Sequence, residues 1–171
     1  MHPDVDAAVF ETARGGLLRE GLAFDRCNVA IVTNMGGGDH LGLNYITTLE
    51  DLSVLKRVIV LNVEHNGMAV LNAADPAVAS MAPHCPGDVT FFALDANQPV
   101  LATHRAQGKR VVFTEDGQIV AQKGKQVFHI PLSQVPLTRQ GQIGFQTENV
   151  LAAIGAAWAV GVPWDAIAQG V

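Results

Sequence analysis

Asn28-Val29-Ala30-Ile31-Val32-Thr33-Asn34-Met35-Gly36-Gly37-Gly38-Asp39-His40 is the stretch whose reading decides the fold. Its first six residues form a short apolar run, the pattern of a buried strand rather than of an amphipathic helix. Asn34 ends the run, and a polar, glycine-rich loop follows. Thr47-Thr48-Leu49-Glu50 then has the form of a capping box. In such a box Thr47 accepts from the backbone near Glu50, and Glu50 reaches back to the cap. Leu49, Leu52, Leu55 and Ile59 recur at helical spacing, which predicts a helix of about three turns. Strand, glycine loop and helix in that order are the unit from which α/β sheets are built.

The same alternation extends outward in both directions. Val5–Phe10 reads as a buried strand ending on Glu11, and Ala13–Leu22 reads as a helix with a glycine-rich start. Gly67 is expected to break the second helix, with Ala69-Val70-Leu71 as a further strand leading into Asn72-Ala73-Ala74-Asp75-Pro76. Beyond Val89 the pattern changes to short strands, Val89–Ala93, Arg110–Thr114, Gln118–Gln122 and Gln126–Ile130. Glu115–Gln118 and Lys123–Lys125 read as hairpin turns, so antiparallel strands are expected here. A helix of small residues returns from Gln146 to Val160, and Pro163 suits the first turn of one more. The fold class is therefore α/β, a mainly parallel sheet flanked by helices with appended antiparallel strands.

Bulk properties narrow the function. With 171 residues, 49% of them hydrophobic and 16% charged, the chain is expected to form one globular domain with its own core. A net charge of −5 with no basic stripe argues against a nucleic-acid binder. No apolar run approaches the roughly 18 residues that suggest a membrane span, and the start, Met1-His2-Pro3-Asp4, does not resemble a signal peptide. Cys27 and Cys85 lie far apart, without the spacing of a zinc or redox motif. Reduced thiols in a cytoplasmic protein are the expectation.

Candidate chemistry gathers at strand ends, where open α/β sheets place their ligands. Glu11 is one carboxylate so placed, although an acid in a first helical turn also simply suits the helix dipole. Asp39-His40 follows the next strand, on the same predicted edge, and carboxylate plus imidazole can hold a divalent ion directly or through water. Lys56 follows Leu49 by seven residues and Leu52 by four, so it shares their apolar face. A lysine there ordinarily snorkels; pointed into the site, it could bind phosphate or, as a carbamate, a metal. Gln146 and Asn149, three apart, share a helix face, and their amides suit either an adenine edge or plain capping. No phosphate-loop motif is present, for Gly108-Lys109 is followed by Arg110 and Gly124-Lys125 by Gln126.

Three segments resemble the central domain of Mur-type ligases of the cyanophycin-synthesising kind. They are Glu11-Thr12-Ala13-Arg14-Gly15-Gly16-Leu17-Leu18-Arg19, Thr33-Asn34 through Asp39-His40-Leu41-Gly42, and Gly144-Phe145-Gln146-Thr147-Glu148-Asn149-Val150-Leu151-Ala152-Ala153. Asn72–Pro76 is similar to an Asn-Ala-Asp-Asp-Pro run of the family, with Ala74 where an acid often stands. The resemblance implies that Glu11 and His40 bind magnesium and that Lys56 serves catalysis, carbamylated in several such ligases. It further implies that Asn34, Gln146 and Asn149 bind the nucleotide, the last two against the adenine of ATP. The implied reaction phosphorylates a carboxylate with ATP, and an amine then attacks the acyl phosphate. The implied partners are ATP, Mg2+, arginine and a polyaspartate (cyanophycin) chain. Residues 1–171 are then expected to be a partial central domain, without the phosphate loop and the closing C-terminal domain, and inactive in isolation. A non-catalytic assembly module, self-associating into a homo-oligomer, is the alternative expectation.

Overall fold

The structure is a computed structural model, and it describes residues 4–36 and 46–171. Its centre is one six-stranded sheet whose strands lie side by side in chain order. They are β1 (Cys27–Val32), β2 (Val63–Asn72), β3 (Asp88–Asp95), β4 (Val111–Glu115), β5 (Gln118–Lys123) and β6 (Gln126–Pro131). The first four run parallel, and β5 and β6 return antiparallel through tight hairpins. Gly117 and Gly124 take positive φ in those two turns, the conformation glycine adopts without steric cost.

Helices cover both faces, as parallel strands require. These are α1 (Arg14–Glu20), α2 (Leu49–Leu61), α3 (Pro76–Ala79), α4 (Pro99–Ala106), α5 (Gly144–Ala159) and α6 (Trp164–Gly170). The strands separate two cores by their two-residue period. Ala69, Leu71, Phe91, Ala93, Val111 and Phe113 point to one side, where Leu52 and Val60 of α2 and Leu101 of α4 close the layer. Val70, Phe92 and Val112 point to the other, against Leu151, Ile154 and Trp158 of α5. Gly155 lets α5 approach closely, since a Cβ there would lie 2.9 Å from Val70 Cγ1 and 3.5 Å from Thr90 Cγ2.

The expected α/β class stands, with several local corrections. Val5–Phe10 is not a strand: Val9 is 96% and Phe10 65% exposed, and Phe10 stacks on Phe24 instead. Six apolar residues supply strand propensity but not a hydrogen-bonding neighbour, and only tertiary structure provides one. The capping box lies one residue later than read. Thr48 accepts from Asp51 N at 3.1 Å, and Asp51 accepts from the backbone N–H groups of Thr48 and Thr47 at 3.0 and 3.1 Å. Hydrogen bonding to the carboxylate from the Thr48 side chain, and then from the Thr47 and Thr48 backbone N–H groups, holds the Asp51 carboxyl below its usual range.

Gly67 does not end α2, which stops at Leu61; it sits inside β2, where the register against β1 shifts. There a Cβ would lie 2.5 Å from the Asn28 carbonyl oxygen, so the strands pass too closely for a side chain. The parallel part of the sheet also reaches further than expected. β3 and β4 pair in parallel because α4 connects them, a helix begun by Pro99 and capped by Gln98, which accepts from Leu101 N at 3.0 Å.

Candidate functional site

The carboxyl ends of β1 and β2 open onto one edge of the sheet, and a hydrogen-bonded cluster is built there. The chain leaves β1 through Thr33, Asn34 and Met35. Lys56, two turns into α2, donates from Nζ to the carbonyls of Asn34 and Met35, both at 2.9 Å. Asp75, which follows β2, grips the same segment from its other side, accepting from Met35 N at 2.7 Å. The other carboxylate oxygen of Asp75 caps α3, accepting from Ala77 N at 3.0 Å and Val78 N at 3.2 Å. Pro76 at the first helical position has no N–H to leave unsatisfied, which is why Asp-Pro starts a helix well.

Met35 is thus held at its N–H by a carboxylate and at its C=O by an ammonium, at the mouth of the glycine-rich loop. Burial pulls the Lys56 ammonium below its ordinary range, and the Asp75 charge opposes that shift. Two of the ammonium's three N–H donors are engaged with the Asn34 and Met35 carbonyls.

The amino end of α5 reaches the same edge. α5 packs on β2 and β3 and runs against their direction: Gly144 meets Leu94 near the end of β3, whereas Gly155 meets Val70 and Thr90 further back. Glu148 accepts from the buried Asn72 Nδ2 at 3.3 Å, fastening the helix to the end of β2. Asn72 Oδ1 in turn accepts from Ala74 N at 2.8 Å and shapes the turn leading to Asp75. The N-cap residue of α5, Ile143, makes no side-chain cap; Thr147 donates back to the Ile143 carbonyl at 3.0 Å, and Asn149 donates to Gln146 at 3.4 Å. Capping by Thr147 or Asn149 is therefore excluded. Among the described residues no side chain meets the first N–H groups of the helix, the end that the dipole makes favourable to negative charge.

The expected site residues are partly brought together. Asn34 and Lys56 touch, and Gln146 and Asn149 pair at the α5 end of the same edge. Glu11 lies exposed in the irregular segment before α1, not at a strand end, and the structure does not join it to the cluster. Asp39 and His40 fall outside the described residues. Among the described residues no three histidines, cysteines or acids gather as a metal site.

Sequence reasoning missed Asp75, Asn72 and Glu148, which organise the edge. Asp75 carried a legible signal, an N-cap aspartate before proline. Asn72 and Glu148 each stand in a segment that carries the resemblance, but their contact, 76 residues apart, has no local signal.

Comparison with known proteins gives the family and the fold. The Mur ligase middle domain matches residues 1–157. The chain is 42% identical over 171 residues to a cyanophycin synthetase of Synechocystis sp., covering 99% of this chain and 19% of that one. It is 41% identical over 170 residues to a cyanophycin synthetase of Crocosphaera subtropica, with the same two shares. The chain thus spans about a fifth of the length of these relatives, 19%. A pseudomurein peptide ligase type C from Methanothermus fervidus shares the fold with a TM-score of 0.51 at 16% identity, over 84% of this chain and 33% of that one. With an open α/β edge built from matching segments along nearly its whole length, the chain belongs to the Mur ligase middle domain family.

Proposed function

We propose that this chain forms the nucleotide-binding core of an ATP-dependent ligase that joins a carboxylate to an amine. The observation that supports it is the convergence, at one carboxyl edge, of the β1 exit, Lys56, Asp75 and the amino end of α5. Such an edge supplies what phosphoryl transfer asks of a protein, which is positioning and positive potential more than covalent chemistry. The Lys56 ammonium and the amino end of α5 favour an anion, and the amides of Gln146 and Asn149 suit an adenine edge. The family resemblance, rather than the geometry of the edge, points to Glu11 and His40 as the residues that would hold magnesium. When bound, that ion supplies charge neutralisation on the phosphoryl oxygens.

In the reaction proposed, the γ-phosphoryl group of ATP passes to a carboxylate oxygen, releasing ADP and leaving an acyl phosphate. An amine then attacks the acyl carbon, phosphate departs, and the nitrogen loses its proton as the amide forms. The similarity to cyanophycin synthetases directs the substrate assignment to arginine as the amine and the aspartate side chains of a polyaspartate backbone as the acids.

The test is a chimera in which this chain replaces the matching segment of the Synechocystis enzyme. Phosphate release that depends on both arginine and ATP, and that falls at least tenfold with Lys56→Met, is the expected result. A folded chimera that binds Mg-ATP yet releases no phosphate with arginine would overturn the substrate assignment. One that binds no nucleotide would overturn the reading of the edge.

A further inference from the structure

The opposite edge of the sheet carries a second concavity. A cavity of ≈ 450 Å³ lies among the amino ends of β2, β3 and β4, within the size range of small-molecule sites. Met68, Val89 and Phe91 contribute its apolar lining, and three cations surround it, Lys109, Arg110 and Lys123. Asp88 is its one acid. His104 adds no charge: its Nε2–H donates to the Val89 carbonyl at 2.9 Å, its ring packs edge-on against Phe91, and burial holds its pKa down.

The cations are arranged rather than scattered. Arg110 lies with its guanidinium carbon 4.8 Å over the Trp158 ring, and its Nη1 donates to the Trp158 carbonyl at 3.5 Å. Its Nε is buried without an acceptor, so the group is held against Trp158 with part of its hydrogen-bonding capacity unmet. Lys109 and Lys123 sit on different turns that glycines bring together. A Cβ on Gly108, which takes φ +74°, would lie 3.8 Å from Gly124 Cα. Among the described residues, no carboxylate forms an ion pair with any of the three cations. Two exposed lysines and an arginine bordering an apolar lining match a compact ligand carrying several negative charges.

We propose that this cavity is a binding site for a small polyvalent oxyanion, a tricarboxylate or an oligophosphate, separate from the nucleotide edge. It is independent of the ligase assignment, since it uses none of the residues at the carboxyl edge. The test titrates the chain, without magnesium and at matched ionic strength, with citrate and with tripolyphosphate. Tryptophan fluorescence reports through Trp158, and calorimetry gives the stoichiometry. Saturable one-to-one binding of at least one probe is expected, weakened tenfold or more in the Lys109→Gln/Lys123→Gln double variant and retained in Lys56→Met. Both lysines are exposed, so their replacement leaves the core intact. The preferred probe distinguishes carboxylate from phosphate ligands. Failure of both probes to saturate, unchanged binding in the double variant, or equal loss in Lys56→Met would each overturn the proposal.

Discussion

Replacing Asp75 by alanine is the sharpest test of how the carboxyl edge is held. Its carboxylate makes two separable contributions. As N-cap of α3 it accepts from Ala77 N and Val78 N, and loss of such a cap costs about 1 kcal/mol. Its 2.7 Å bond from Met35 N is charge-assisted, a class whose loss costs about 1.5–3 kcal/mol. Allowing for overlap, Asp75→Ala should destabilise the chain by roughly 2–4 kcal/mol, a large share of the 5–15 kcal/mol typical of a domain. Urea unfolding followed by the fluorescence of Trp158 and Trp164 measures it, both tryptophans being packed with Phe128 in the second core. Asp75→Ser should recover only the cap, about 1 kcal/mol, because a hydroxyl one bond shorter does not span to Met35. In a double-mutant cycle with Lys56→Met the two changes should be non-additive, since both residues grip Met35. A loss below about 0.5 kcal/mol for Asp75→Ala, or full recovery by serine, would refute the two-sided clamp.

Three further outcomes are expected. Gly87→Ala should be destabilised by about 3 kcal/mol or fail to fold, because the added Cβ would lie 2.4 Å from the Gly67 carbonyl oxygen and 2.7 Å from that of Glu64, both backbone atoms; thermal denaturation decides it. Burial of His104, aided by Lys109 and opposed by the Val89 carbonyl and Asp88, lowers its pKa in the folded state. The unfolded chain therefore takes up that proton first, and stability should fall as pH drops below about 6.5, by up to about 1.4 kcal/mol per pH unit, a slope that His104→Phe should remove. Burial raises the Cys27 and Cys85 thiols above their ordinary range, so at pH 8 iodoacetamide should alkylate both more slowly in the native chain than in urea, as mass spectrometry would show.

What could be read in the sequence was local. The β1 run, the leucine spacing of α2, the hairpin turns and Pro163 each depend on residues within one or two turns of one another, and each proved to be an element. The errors share a cause. Val5–Phe10 had the composition of a strand but no pairing partner, and Thr47 and Thr48 offered caps that differ only in which helix start packs better. α4 was too short for its spacing to stand out.

The carboxyl edge divides in the same way. Spacing placed Lys56 on the packed face of α2 and Gln146 beside Asn149, because helical geometry alone sets those relations. That Lys56 and Asp75 close on the two ends of Met35, or that Glu148 meets Asn72, depends on sheet order and on α5 crossing β2 and β3. Long-range hydrogen bonds of this kind arise from packing of elements distant in the chain, which local propensity does not encode. The sequence by itself therefore determined which elements exist and which residue types border the loop after β1. Tertiary structure decided which of them share an edge, because only parallel pairing of β1 with β2 brings the ends of both strands, and the helices that follow them, to one place.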